Sequence, residues 1–142
     1  MSRTSLDPTL VQAYRRTRYS AGMDGEAIVL RVDVPSPVMA AAIAAAGGPG
    51  AAFITVENPY STQSAAHDNA ASQALLKSEL AALGATVFEG VGQGDDPTWP
   101  GEASYLAVGI SRDQACLLGR KYQQNAIVWI GANGTPELVL LR

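Results

Sequence analysis

The stretch that most constrains this fold is Ala51–Val56, an uncharged strand-length run that stops abruptly in Asn58-Pro59-Tyr60-Ser61. Proline has no N–H to give to a sheet ladder, so the strand cannot continue through Pro59. A helix from about Ala65 to Leu83 follows, with Leu76, Leu80 and Leu83 as its apolar stripe and Gly84 as its stop. Ala85–Val91 is the next strand, and a strand–helix–strand unit of this length implies a right-handed parallel crossover. In that frame the strand's exit meets the helix's start, which brings Asn58, Ser61 and Asn69 together. Asn69 lies seven residues before Leu76 and therefore falls on the core side.

The flanking segments extend the same architecture. Asp7-Pro8 opens a short helix through Leu10, Val11 and Tyr14. Tyr19–Ala21 and the alternating run Glu26–Val34 predict an antiparallel hairpin about a turn at Gly22–Gly25. Ser36-Pro37 starts a helix over Val38–Ala46, whose core stripe is Met39, Ala42, Ile43 and Ala46. Its other face, Ala41, Ala44 and Ala45, carries no charge either, so it is covered within the fold or packs on a protein partner or a second copy.

After a loop over Gly92–Gly101, Glu102–Ile110 reads as a strand and Ser111-Arg112-Asp113-Gln114 as a capping box. The helix it opens has Ala115, Leu118 and Tyr122 as its stripe, and Gly119 permits close backbone approach. Asn133-Gly134 pairs a strand at Ala126–Gly131 with another at Glu137–Leu141. The expectation is one α/β domain of the α+β type over residues 1–142, with a mixed sheet of about five to seven strands and about four helices.

Charge and cysteine usage narrow the function. A net charge of −3 offers no footprint for nucleic acid or anionic lipid, and Arg15-Arg16-Thr17-Arg18 reads as cations at a helix C-terminus. Gly47-Gly48-Pro49-Gly50 divides the longest uncharged run into pieces too short to span a bilayer, and Met1–Tyr14 has no apolar targeting core. A reduced, cytoplasmic compartment is the expectation. One cysteine and one histidine argue against a disulfide framework and a zinc cage.

The glycine loops lack the spacing and the lysine of phosphate cradles and read as turns. His67 has no nucleophile-elbow serine to serve, Cys116 reads as a packed thiol, and Asp95, Asp96 and Glu102 read as a solvated acidic turn. No cofactor or metal is expected.

What remains is a dispersed polar set: Asn58, Ser61, Asn69, Glu102, Ser104, Arg120, Gln124 and Asn125. Arg120 flanks a buried stripe and calls for a carboxylate, for which Glu102 is the candidate. These residues either line a pocket for a small polar or anionic molecule or form a hydrogen-bonded network that stiffens the loops. An enzyme built on them would use Glu102 as acid or base.

Phe53–Ser61, Asn69 with Leu76, Glu79-Leu80 and Gly84, Trp99–Ser104 and Gly119–Trp129 together resemble a small bacterial family known as domain of unknown function 3293. The resemblance runs from about Ala51 to Leu141 and leaves 1–50 as an N-terminal helix, hairpin and Ala-rich helix. It implies a bacterial cytosolic protein and brings no activity with it. Two functions stay open: a pocket for a small anionic ligand, and a protein–protein interaction module using the Ala-rich helix and the last strand.

Overall fold

In the computed structural model the description covers residues 4–55, 66–94 and 102–142; Thr55, 66–69 and Glu102 are placed by their backbone. The elements in chain order are α1 (Pro8–Arg16), β1 (Arg18–Met23), β2 (Glu26–Leu30), α2 (Pro37–Ala46), β3 (Ala51–Thr55) and α3 (Ala66–Ala82). β4 (Thr86–Gln93), β5 (Glu102–Val108), α4 (Arg112–Lys121), β6 (Ala126–Ile130) and β7 (Pro136–Leu140) complete them. The fold is a single α+β domain with four described helices and one seven-stranded sheet, ordered β2-β1-β4-β5-β3-β6-β7.

Every pairing in that sheet is antiparallel. The crossover expected between Ala51–Val56 and Ala85–Val91 is present, but its strands are not neighbours. β3 and β4 run the same way, and β5 inserts between them, antiparallel to both. From β3 to β6 this is the split βαββαβ arrangement of the ferredoxin-like topology.

The central strands are apolar on both faces because both faces are covered. Ala52, Ile54, Tyr105, Ala107 and Ile127 pack with Leu76 and Leu80 of α3 and with Ala115 and Leu118 of α4. The alternate residues Ala51, Phe53, Leu106, Val108, Val128 and Ile130 pack with Met39 and Ile43 of α2 and with Ala21, Met23, Ile28 and Leu30 of the hairpin. One sheet face meeting its own edge hairpin requires the sheet to curl around α2. The curl brings the chain after β2 to the opposite edge, where the Asp33 and Ser36 N–H groups donate to the Pro136 and Gly134 carbonyls at 2.8 and 2.9 Å.

Helix starts follow their side-chain caps: Asp7 accepts from the Thr9 N–H, Ser36 from Met39, and Ser111 forms a complete capping box with Gln114. Gly119 lets α4 lie flush on β6 and the C-terminal segment, since a Cβ there would stand 2.5 Å from Leu141 Cδ1 and 2.8 Å from Ile127 Cγ2.

Several local expectations change. The first hairpin turns on Asp24-Gly25, both with positive φ (53° and 84°), because that pair matches the twist of the flanking strands. β2 ends at Leu30, well short of Val34. β4 runs on to Gln93, so Gly92 joins Gly90 in the strand; a Cβ at Gly90 would meet the Ser20 carbonyl oxygen at 2.5 Å. Leu83 lies past the end of α3 and is exposed. On α2 the face carrying Ala41, Ala44 and Ala45 is exposed, so no described part of the fold covers it.

Candidate functional site

The strand registers decide which of the sequence-predicted residues come together. Thr55 pairs with Ser104, Ser104 with Gly90, and Glu102 with Gly92, so β3 and β4 end where β5 begins. β6 runs antiparallel to β3 with Phe53 opposite Val128, which puts the entry to β6 at that same end. α3 returns from this end towards the start of β4, and α4 arrives here from the far end of β5. One end of the sheet therefore holds Asn69 at the start of α3, Glu102 and Ser104 at the start of β5, Arg120 in the last turn of α4, and Gln124 and Asn125 before β6. Asn58 and Ser61 lie outside the described residues, and the side chains of Asn69 and Glu102 do as well.

Three of these residues are buried: Ser104, Gln124 and Asn125, at 5%, 6% and 4% exposure. Ser104 has the parity of Leu106 and Val108, which places it on the α2 side of the sheet. Gln123 takes φ 58° as the chain leaves α4, and the Gln124 N–H then donates to the Gly119 carbonyl at 2.9 Å. The Gln124 Nε2 donates to the Tyr122 carbonyl at 3.2 Å. The Asn125 Nδ2 donates to the Tyr14 hydroxyl at 3.1 Å, and its Oδ1 accepts from Arg142 at 3.2 Å. The Asn125 carbonyl also accepts from the Leu141 N–H at 2.8 Å. Asn125 thus ties α1 to the C-terminal segment.

Tyr19 continues this network by donating its hydroxyl to the Tyr14 carbonyl at 2.9 Å. Sequence reasoning missed Tyr14, Tyr19 and Arg142. Tyr14 stands 111 positions from Asn125, and no local pattern signals a partner that distant.

Arg120 differs from its neighbours. It is exposed, and its side chain has no hydrogen-bond or ion-pair partner among the described residues; the Glu102 side chain expected to pair with it is not described. The adjacent cation, Lys121, is engaged instead: its Nζ lies 2.7 Å from Glu79 Oε1, which also accepts the Tyr122 hydroxyl. The Lys121 and Tyr122 hydrogen bonds hold the Glu79 carboxyl below its usual range. Burial, with the Glu79 carboxylate beside it, pushes the Tyr122 phenol well above its ordinary value.

This end of the sheet thus holds two buried amides and a buried hydroxyl, all hydrogen-bonded, and the exposed Arg120 guanidinium, which has no partner among the described residues. Cys116 is buried in the helix-side core, as a packed thiol would be. Among the described residues no group of His, Cys, Asp or Glu can hold a metal ion, and no helix is long and apolar enough to cross a membrane. An open depression of about 470 Å³ lies at the far end of the sheet and includes none of the residues above.

No curated protein and no solved structure matches the chain. The family described as protein of unknown function DUF3293 matches residues 54–127, a little over half of the 142 residues. That interval holds all eight sequence-predicted site residues and leaves out α1, the β1–β2 hairpin, α2 and β7. The chain belongs to this family, DUF3293.

Proposed function

We propose that the protein binds a small anionic molecule at the sheet end where β3 leaves and β5 and β6 enter. One observation supports the reading: strand registers and element order put residues 69, 102, 104, 120, 124 and 125, spread over more than fifty positions, at the same end of the sheet. Arg120 supplies the charge, and the buried Ser104, Gln124 and Asn125 supply fixed polar groups. Binding is the proposed activity, with no reaction assigned.

Thermal melting of the wild type and Arg120→Ala across a panel of anionic metabolites and nucleotides tests this. A ligand at one hundred times its Kd adds about 2.7 kcal/mol, or roughly 10 °C for a chain of this size. At least one compound should raise the wild-type melting temperature and raise that of Arg120→Ala much less. A panel that leaves the wild type unmoved refutes the reading.

A second reading, docking of a protein partner or a second copy on α2, is favoured by one feature. Val34 and Val38, 53% and 48% exposed, adjoin Ala41, Ala44 and Ala45 on an uncharged face. Its test is whether Ala41→Glu changes the oligomeric state or the retention of a bound protein.

A further inference from the structure

At the opposite end of the sheet, the β6–β7 hairpin and the segment after β2 enclose the open depression of about 470 Å³. It is lined by Trp129, Asp33, Glu137, Asn133, Thr135 and Pro136, and the basic groups nearest its carboxylates are their ion-pair partners Arg15 and Arg112. The volume falls in the ordinary range of small-ligand sites. We propose that this depression binds a guanidinium group, carried by a small molecule or by an arginine side chain of a peptide.

The chain itself shows which cation these carboxylates accept. Asp33 Oδ2 lies 3.3 Å from Arg15 Nη1, and Glu137 Oε1 lies 3.2 Å from Arg112 Nη2. Each ion pair uses one carboxylate oxygen, and the acidic side chains remain 71% and 54% exposed. Exposed pairs of this kind are worth at most about 1 kcal/mol, so a ligand can share or displace them at little cost.

Trp129 sits directly across the ladder from Glu137, which places the indole and that carboxylate side by side on one face. A planar guanidinium can stack on an indole while donating in-plane to a carboxylate, whereas a compact, strongly hydrated ammonium cannot do both.

The site is also preformed. Trp129 rests against Gly50, where a Cβ would stand 2.4 Å from the ring, so the absence of a side chain seats the indole. Asp33 is tethered to Pro136 by its N–H at 2.8 Å, and Asn133 Oδ1 accepts from the Thr135 N–H at 3.0 Å. A wall held this way loses little entropy when a ligand binds.

The test uses the full chain carrying Trp99→Phe, which leaves Trp129 as the only indole of the two in the sequence. Agmatine and the tripeptide Gly-Arg-Gly are titrated at low salt, read by Trp129 fluorescence and by its indole N–H resonance. Saturable binding of at least one probe is expected, and which probe binds identifies the source of the guanidinium. Cadaverine and Gly-Lys-Gly should bind at least tenfold more weakly. The double substitution Asp33→Asn with Glu137→Gln, at exposed positions that keep side-chain shape, should also weaken binding at least tenfold without lowering the melting temperature appreciably. No saturable response to either guanidinium probe, equal affinity for the lysine analogues, or unchanged affinity in the double variant each overturns the proposal.

Discussion

Replacing Gly50 by alanine puts a single methyl group where three parts of the fold converge. The added Cβ would stand 2.4 Å from both Cη2 and Cζ2 of Trp129 and 2.5 Å from the Ile130 carbonyl oxygen. Carbon atoms rest about 3.5–4.0 Å apart, so the ring must retreat by more than about 1 Å. The carbonyl oxygen has less room to yield, because Ile130 is paired with Ala51 on one side and Pro136 on the other. Gly50 cannot easily move away either, since its own carbonyl accepts from the Gly109 and Ile110 N–H groups at 2.8 and 3.3 Å.

Overpacking usually costs about 1–3 kcal/mol, and a fixed backbone oxygen places this site near about 3. Alanine returns up to about 1 kcal/mol by restricting the unfolded chain. The net loss is about 2 kcal/mol, a fall in melting temperature of roughly 7 °C for a domain this size. Urea unfolding with calorimetry measures it, and Gly22→Ala is the control, because nothing stands within 4 Å of a Cβ at Gly22. The control should melt at or slightly above the wild type. If Gly50→Ala is as stable as the wild type, the close packing of the α2–β3 junction on Trp129 is refuted.

Asn125→Ala removes at least the side-chain hydrogen bonds to Tyr14 and from Arg142, and should cost about 2 kcal/mol or more in urea unfolding at roughly 1 kcal/mol each. Arg120→Ala should change the unfolding free energy in urea by less than about 0.5 kcal/mol, because the side chain is exposed and unpaired among the described residues. A large loss would make Arg120 structural. The Glu79 carboxyl is lowered in the folded state, so the unfolded chain takes up its proton first as the pH falls. Its stabilisation is therefore complete above the ordinary carboxylate value and disappears as the pH drops through the lowered one. Wild type should exceed Glu79→Gln in urea midpoint at pH 7, and that gap should narrow as the pH falls below the ordinary carboxylate value and close once the pH is below the lowered one.

Element positions were legible because the local signals agree with the global fold. Pro8, Pro37, Ser111 and Gly84 mark helix ends by their own backbone chemistry, and the structure keeps all of them. Strand adjacency was not legible. The run Ala51–Val56 shows that a strand is buried on both faces, yet the identity of its neighbours depends on β5, which enters fifty residues later and takes the place between β3 and β4. Gly92 read as loop because its ladder partner, Tyr19 of β1, lies more than seventy positions away. Ser104, Gln124 and Asn125 stand out in the sequence as polar residues near strand entries, and in the fold they are buried. The Asn125 partners Tyr14 and Arg142 come from outside the family-matched interval and carry no recognisable pattern.

The most direct measurement is a backbone amide NMR spectrum of the wild type, recorded with each member of the anionic-metabolite panel. The account predicts that a binding compound moves the amides of Ser104, Arg120, Gln124 and Asn125 together, saturably, while those of Val38–Ala46 stay in place. A compound that moves only the α2 amides, or a panel that moves none, contradicts it.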